Sequence, residues 1–167
     1  MLTAVNWTLW LVLYSFAGWA YESVLFTIVT GQWVNRGFLH GPLCPIYGTA
    51  AILTIALLYG RKKNVFFLFF VGMVMATGLE YITSVVLEFF FNTRWWDYSA
   101  RPFNIQGRVC LLGAAVFGTM VVLLARLVHP QVEKITERIP IGIRAALAIV
   151  FVAAVTVDFV LTATRII

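Results

Sequence analysis

Val65-Phe-Phe-Leu-Phe-Phe-Val-Gly-Met-Val-Met-Ala-Thr-Gly-Leu-Glu-Tyr-Ile-Thr-Ser-Val-Val-Leu-Glu-Phe-Phe-Phe91 is an apolar run whose only charges are Glu80 and Glu88. A helix of this length spans the ~30 Å hydrocarbon core of a bilayer. Similar runs lie on both sides of it. The hydrophobic fraction is 62% and the charged fraction 11%, against roughly 45–50% and about 25% in soluble domains. A soluble chain could not hide so much apolar surface. The class is therefore an all-α polytopic membrane protein, with room for about five transmembrane helices and none for a separate soluble domain.

Working outward, residues 1–167 read as a single transmembrane domain, with helices at about 5–30, 45–60, 65–91, 108–128 and 143–164. Trp7 and Trp10 suit a membrane interface. Tyr14, Gly18 and Glu22 recur every fourth residue and share a helix face. The first segment lacks a basic start and a small-residue cleavage site, so it reads as a retained helix. Gly31 to Cys44 is rich in Gly and Pro and is not a regular helix. The segment after it is short for a span, which calls for completion by the preceding residues or for a partly re-entrant path. His129 to Gly142 spaces Val132, Ile135 and Ile139 as a surface amphipathic segment (129–142), stopped near Pro140.

Asn92 to Cys110 is too long and too chemically varied for a plain connector. It holds Arg94, Arg101, Arg108, Asp97, Asn104 and the run Trp95-Trp96-Asp97-Tyr98. It reads as a structured loop that dips toward the membrane and walls a polar site. Placing Arg61-Lys62-Lys63 in the cytoplasm brings Arg126, Lys134, Arg138 and Arg144 inside as well. Arg36, Arg94, Arg101, Arg108 and Arg165 fall outside. The N-terminus is then cytoplasmic, the C-terminus is outside, and both irregular loops are non-cytoplasmic. The net charge of +5 reflects this orientation rather than nucleic-acid binding.

Glu80, Ser84 and Glu88 stand four residues apart on one stripe. A carboxylate at mid-membrane costs a few kcal/mol on insertion scales, so Glu80 reads as an ion, proton or substrate ligand, with a structural interhelical bond as the alternative. Glu22 invites pairing with Arg36 or Arg108. These arginines suit a carboxylate or phosphate because the guanidinium fork makes two parallel hydrogen bonds. Arg108 opens the fourth segment on this reading, where free backbone N–H groups favour an anion; a snorkelling arginine is the alternative. Asp97 reads as a ligand or a turn cap. Trp95, Trp96 and Tyr98 read as a belt or a ligand platform. Asn104 orients a ligand or satisfies the loop's own carbonyls. His40 reads as a proton shuttle or a solvated loop residue, and Asp158 as an interhelical hydrogen-bond partner. Cys44 and Cys110 have no metal-ligand spacing. No metal and no cofactor is expected. The chain has no G-x-x-x-x-G-K-[ST], H-E-x-x-H or G-x-S-x-G motif, so it does not hydrolyse ATP by the standard loop.

Gly18-Trp19-Ala20-Tyr21-Glu22, the stretch Asn35 to Gly48, Glu80-Tyr81-Ile82-Thr83-Ser84 with Glu88, and Trp95-Trp96-Asp97-Tyr98-Ser99 through Asn104 to Gly107-Arg108-Val109-Cys110 carry a resemblance. Together they resemble the bacterial CmpB-type ABC-transporter permease family over about Trp10 to Gly118. The resemblance implies a bacterial cytoplasmic membrane location. It also groups Glu22, Arg36, Tyr47, Glu80, Glu88, Trp96, Asp97, Tyr98, Asn104 and Arg108 as substrate- or ion-binding positions. The expected function is a small-molecule transporter subunit, not an enzyme, acting as a homo-oligomer or with a separate ATPase subunit. The expected ligand is a lipid or an anionic small molecule. Two readings stand beside it: an intramembrane enzyme acting on a lipid or isoprenoid phosphate, and a non-catalytic lipid-binding or assembly scaffold.

Overall fold

The computed structural model describes residues 4–60 and 64–166, with side chains as far as residue 164. The basic run Arg61-Lys62-Lys63 lies outside the described residues, as does the side chain of Arg165. The elements are α1 (Ala4–Thr30), α2 (Pro45–Leu58), α3 (Val65–Phe91), a small β1 (Asn104–Ile105) and β2 (Val109–Cys110), α4 (Leu111–Leu123), α5 (His129–Arg138) and α6 (Ile141–Ile166). A π-helical turn, Leu124–Val128, joins α4 to α5. Ala4–Thr30, Val65–Phe91, Leu111–Arg138 and Ile141–Thr164 are long and apolar enough to cross a membrane, and Pro45–Leu58 is a shorter apolar helix. The protein is an all-α polytopic membrane protein.

The chain forms two compact units, one of Met1–Ile52 with Lys134–Ile167 and one of Leu53–Glu133. In the first, α1 and α6 run in the same direction. Arg144, near the start of α6, donates from Nη1 to Asn6 Oδ1 at 2.7 Å. At the other end, the loop after α1 meets Asp158 (below).

That loop does not leave α1. It descends beside it. The amide of Val34 donates to Thr27 Oγ1 at 3.1 Å, that of Arg36 to Ser23 Oγ at 3.2 Å, and that of Cys44 to the Ser15 carbonyl at 3.0 Å. Ser15 lies about 22 Å below the end of α1 at helical rise. This is why α2 has only 14 residues: non-helical chain has already covered much of the return. Pro45 suits the first helical position because its missing N–H would have no partner there. Gly48 then lets α2 press against α1. A Cβ at this position would overlap Ser15 Oγ and the Leu11 carbonyl oxygen. Trp10, expected at an interface, is instead fully buried. Its indole donates to Thr136 Oγ1 at 3.0 Å, which gives the ring's polar edge an acceptor inside the protein.

In the second unit, α3 and α4 pack along their length. Asn64 caps α3, accepting from the amide of Phe66 at 2.9 Å. Asn92 ends the helix in the left-handed region, with φ of 51°. Leu58, Leu68, Val121 and Ala125 form the core, flanked by Val71, Met75 and Val122. The antiparallel ladder pairs Asn104 with Cys110 and Ile105 with Val109. This extended pairing holds the chain out of helix until Leu111, so α4 starts beyond Arg108. At its other end, α4 meets Pro130, which has no N–H and whose ring crowds the carbonyl four residues back. The π turn relieves that crowding. His129 donates its amide to the Leu124 carbonyl, and the helix continues into α5. The amphipathic segment is thus joined directly to α4, with His129 and Thr136 buried. Tyr59 donates to Glu133 Oε2 at 2.6 Å.

A Gly48→Ala change is expected to cost about 1–3 kcal/mol through overpacking against backbone, seen as a lower melting temperature in detergent. Gly78→Ala is the matched control, because nothing lies within 4 Å of its added Cβ. Equal melting of the two variants would contradict the close α1–α2 approach.

Candidate functional site

The expected site residues fall into two clusters, one in each unit. The first is built on α1 and the descending loop. Glu22 projects from α1 and accepts from the Tyr47 hydroxyl, at the start of α2, over 3.0 Å. Arg36 Nε lies 3.8 Å from the other Glu22 oxygen. Its guanidinium carbon stands 4.0 Å from the centre of the Phe26 ring, a cation–π contact. Trp19 donates to Asn35 Oδ1 at 2.6 Å, and Asn35 Nδ2 donates to the His40 carbonyl at 3.0 Å. These bonds lock the loop beside Arg36.

The rest of the loop is tied to α6. The amides of His40 and Gly41 donate to the two Asp158 carboxylate oxygens at 3.2 and 2.9 Å. His40 Nδ1 lies 2.5 Å from Thr162 Oγ1 and 3.5 Å from Asp158 Oδ1. Asp158 is therefore a hydrogen-bond acceptor for backbone groups that no ladder satisfies.

The second cluster is built on the stripe Glu80, Ser84 and Glu88 of α3. Glu80 is 5% exposed and accepts from the Tyr98 hydroxyl at 3.1 Å. Ser84, also buried, accepts from Arg108 Nη1 at 3.0 Å. Glu88 Oε2 pairs with Arg108 Nη2 at 2.5 Å, and Glu88 Oε1 accepts from Arg94 Nε at 3.1 Å. Two arginines thus share one carboxylate. The Arg108 side chain is 13% exposed, and its Nε is buried without a hydrogen-bond acceptor.

The loop is shaped to deliver these groups. Trp96 Nε1 donates to the Arg108 carbonyl at 2.8 Å, and the Tyr98 amide donates to the Gly107 carbonyl at 2.7 Å. Asn104 donates to the Ser99 and Arg101 carbonyls and accepts from the Gly107 amide at 2.9 Å. Asp97 accepts from both the amide and the hydroxyl of Ser99, at 2.9 and 2.6 Å. Gly107 has φ of +69°, and an added Cβ would lie 2.6 Å from Asp97 Oδ1, so only glycine fits.

Of the expected residues, Glu22, Arg36 and Tyr47 come together in the first unit. Glu80, Glu88, Tyr98 and Arg108 come together in the second. Trp96, Asp97 and Asn104 shape the second loop from within. Ser23 escaped notice; its spacing of eight residues from Ser15 on one helix face was the available signal. Gln106, which accepts from Tyr81 at 2.8 Å, gave no signal. Among the described residues, no three His, Cys, Asp or Glu gather as metal ligands.

The Cys44 thiol is buried, and its backbone is tied to Ser15 midway along α1. A thiol in that state is inert rather than nucleophilic. The Ser99 hydroxyl and amide beside Asp97 hold its carboxyl below the usual range.

A family model described as "Putative ABC-transporter type IV" matches residues 9–163, and the chain belongs to that family. No curated protein and no solved structure matches the chain.

Two outcomes follow from this geometry. Cys44 is expected to react with maleimide far more slowly than an exposed thiol, because it is buried against α1. Labelling as fast as an exposed control would refute its burial. Asp97 has a depressed value in the fold, so its contribution is present above its unfolded value and lost as pH falls through the folded one. Loop protection by hydrogen exchange at Ser99 should fall below about pH 4 and become insensitive to acid in Asp97→Asn; acid loss unchanged in that variant would remove Asp97 from the account.

Proposed function

We propose that the protein is the membrane-embedded subunit of a small-molecule transporter, with its polar site at Glu80, Ser84, Glu88, Tyr98 and Arg108. Family membership supports a transporter-like membrane protein. The observation that carries the site is Glu80, a buried carboxylate in a spanning helix whose hydrogen-bond partner comes from a folded-back loop. An acid in this position is costly, and such acids mark ion and substrate paths.

On this reading, Glu80 is the ion or proton ligand and Arg108 the anion ligand. Arg94 also pairs with Glu88, so Arg108 can release Glu88 without leaving that carboxylate unpaired. A bound carboxylate or phosphate then takes the guanidinium fork. Shortened spans that start beside polar groups are a recurrent transport architecture, and α2, which starts near Tyr47 and Glu22 in the first unit, fits it. The chain has no ATP-binding loop, so ATP-driven transport would draw on a separate subunit. The amphipathic α5 is the segment suited to meet it. The bacterial cytoplasmic membrane, with the N-terminus inside and the C-terminus outside, is the orientation that accords with the basic residues.

Proteoliposomes with an entrapped pH dye provide the test. Offered a panel of carboxylates and phosphate monoesters, the wild type is expected to show anion-dependent proton movement. Glu80→Gln should lose roughly tenfold or more of that rate while melting within a few degrees of wild type. Unchanged flux in Glu80→Gln would sink its role.

A further inference from the structure

The two units repeat one design. Each contains a helix of 27 residues followed by an irregular loop, α1 in one and α3 in the other. On each helix a buried serine accepts a hydrogen bond from an arginine of the following loop. Ser23 receives the Arg36 amide and Ser84 receives Arg108 Nη1. Each arginine faces an acid of that same helix, Glu22 in one and Glu88 in the other. Each also lies over an aromatic ring of that helix, Phe26 at 4.0 Å and Tyr81 at 5.9 Å. A tyrosine hydroxyl donates to a helix carboxylate in both, Tyr47 to Glu22 and Tyr98 to Glu80. Each loop ends in a related run, Gly41-Pro42-Leu43-Cys44 and Gly107-Arg108-Val109-Cys110, directly before α2 and α4.

We infer that the chain is a duplicated helical hairpin, and that each copy holds its own oxyanion site on its loop arginine: Arg36 in the first unit and Arg108 in the second. At Arg108 this rests on the transport reading. At Arg36 it stands on geometry alone. A guanidinium carries five N–H donors. Among the described residues, Arg36 donates no side-chain hydrogen bond. Its one ion pair is 3.8 Å long, beyond hydrogen-bond reach, and its side chain is only 23% exposed. Its Nε is buried without an acceptor, as is Arg108 Nε. Burying the Nε edge of a cation without an acceptor is costly. A carboxylate or phosphate oxyanion supplies two acceptors in the fork geometry. Glu22 is held by Tyr47 at the edge of this site, close enough to oppose an anion and too far to replace one.

The source is a lipid phosphate or a soluble oxyanion, and the test separates them. The full chain in neutral detergent is titrated with dihexanoyl phosphatidic acid or with inorganic phosphate and read by native mass spectrometry. Two anions per chain are expected. Arg36→Lys should weaken one of them about tenfold or more, Arg108→Lys the other, and the double variant both. Glu22→Gln, which removes the opposing charge, should tighten the Arg36 site severalfold. Saturation by phosphatidic acid alone assigns a lipid headgroup; saturation by both assigns the oxyanion itself. One anion or none in the wild type, two unchanged in Arg36→Lys, or weaker binding in Glu22→Gln would overturn the inference. Flux does not enter this readout. Loss of transport in Glu80→Gln with a single bound anion would leave the transport reading standing without the second site.

Discussion

Every backbone N–H and C=O inside a bilayer must find a partner within the protein, and this constraint governs the loops more than the helices. A helix meets it by itself. A loop that runs back along a helix must take its acceptors from that helix's side chains and carbonyls. Thr27, Ser23 and the Ser15 carbonyl serve the first loop in turn, and Asp158 serves the amides of His40 and Gly41. The second loop solves the same problem internally, through Asp97, Asn104 and the Asn104–Cys110 ladder. The polar residues beside the apolar runs are first of all the means by which irregular backbone is held against a helix. Arg36 and Arg108 are carried to their positions by that backbone.

This view orders the candidate residues. Asp97, Asn104 and Trp96 have their polar atoms engaged by the loop they belong to, and their chemistry is spent on its shape. Glu88 is held by two arginines. Arg36 and Arg108 keep donors in reserve. Glu80, by contrast, is buried and takes the Tyr98 hydroxyl from the loop.

The membrane class and the long helices were legible because an apolar run of spanning length has few other uses. α3 is unmistakable from residues 65 to 91. The short α2 could be flagged as irregular but not resolved, since its length depends on loop amides bonding to Ser15 and Ser23; the spacing of these serines marks a helix face but not its partner. Arg108 was readable as an anion ligand or a snorkelling cation, but not its place outside the helix, which a two-residue ladder decides. The acid–arginine pairings were open between Arg36 and Arg108 for Glu22, because pairing is a tertiary fact. Trp10 misled for a related reason: an indole near a helix start suits an interface, until a distant Thr136 gives its N–H a partner. The duplication is masked in sequence because the loops differ in length and because Arg36 precedes its Gly-x-x-Cys run while Arg108 lies inside it.

The first unit is discontinuous in sequence, whereas the second is one uninterrupted stretch. During synthesis, Leu53–Glu133 can close on itself as soon as α4 and the start of α5 have emerged. The first loop cannot. The carboxylate that receives the His40 and Gly41 amides belongs to Asp158, in α6, which is made after the whole second unit. Until α6 arrives, those amides lack their native acceptor, and the first unit stays unfinished after the second is complete. α6 is thus the strap that completes a unit begun before the second unit and finished after it.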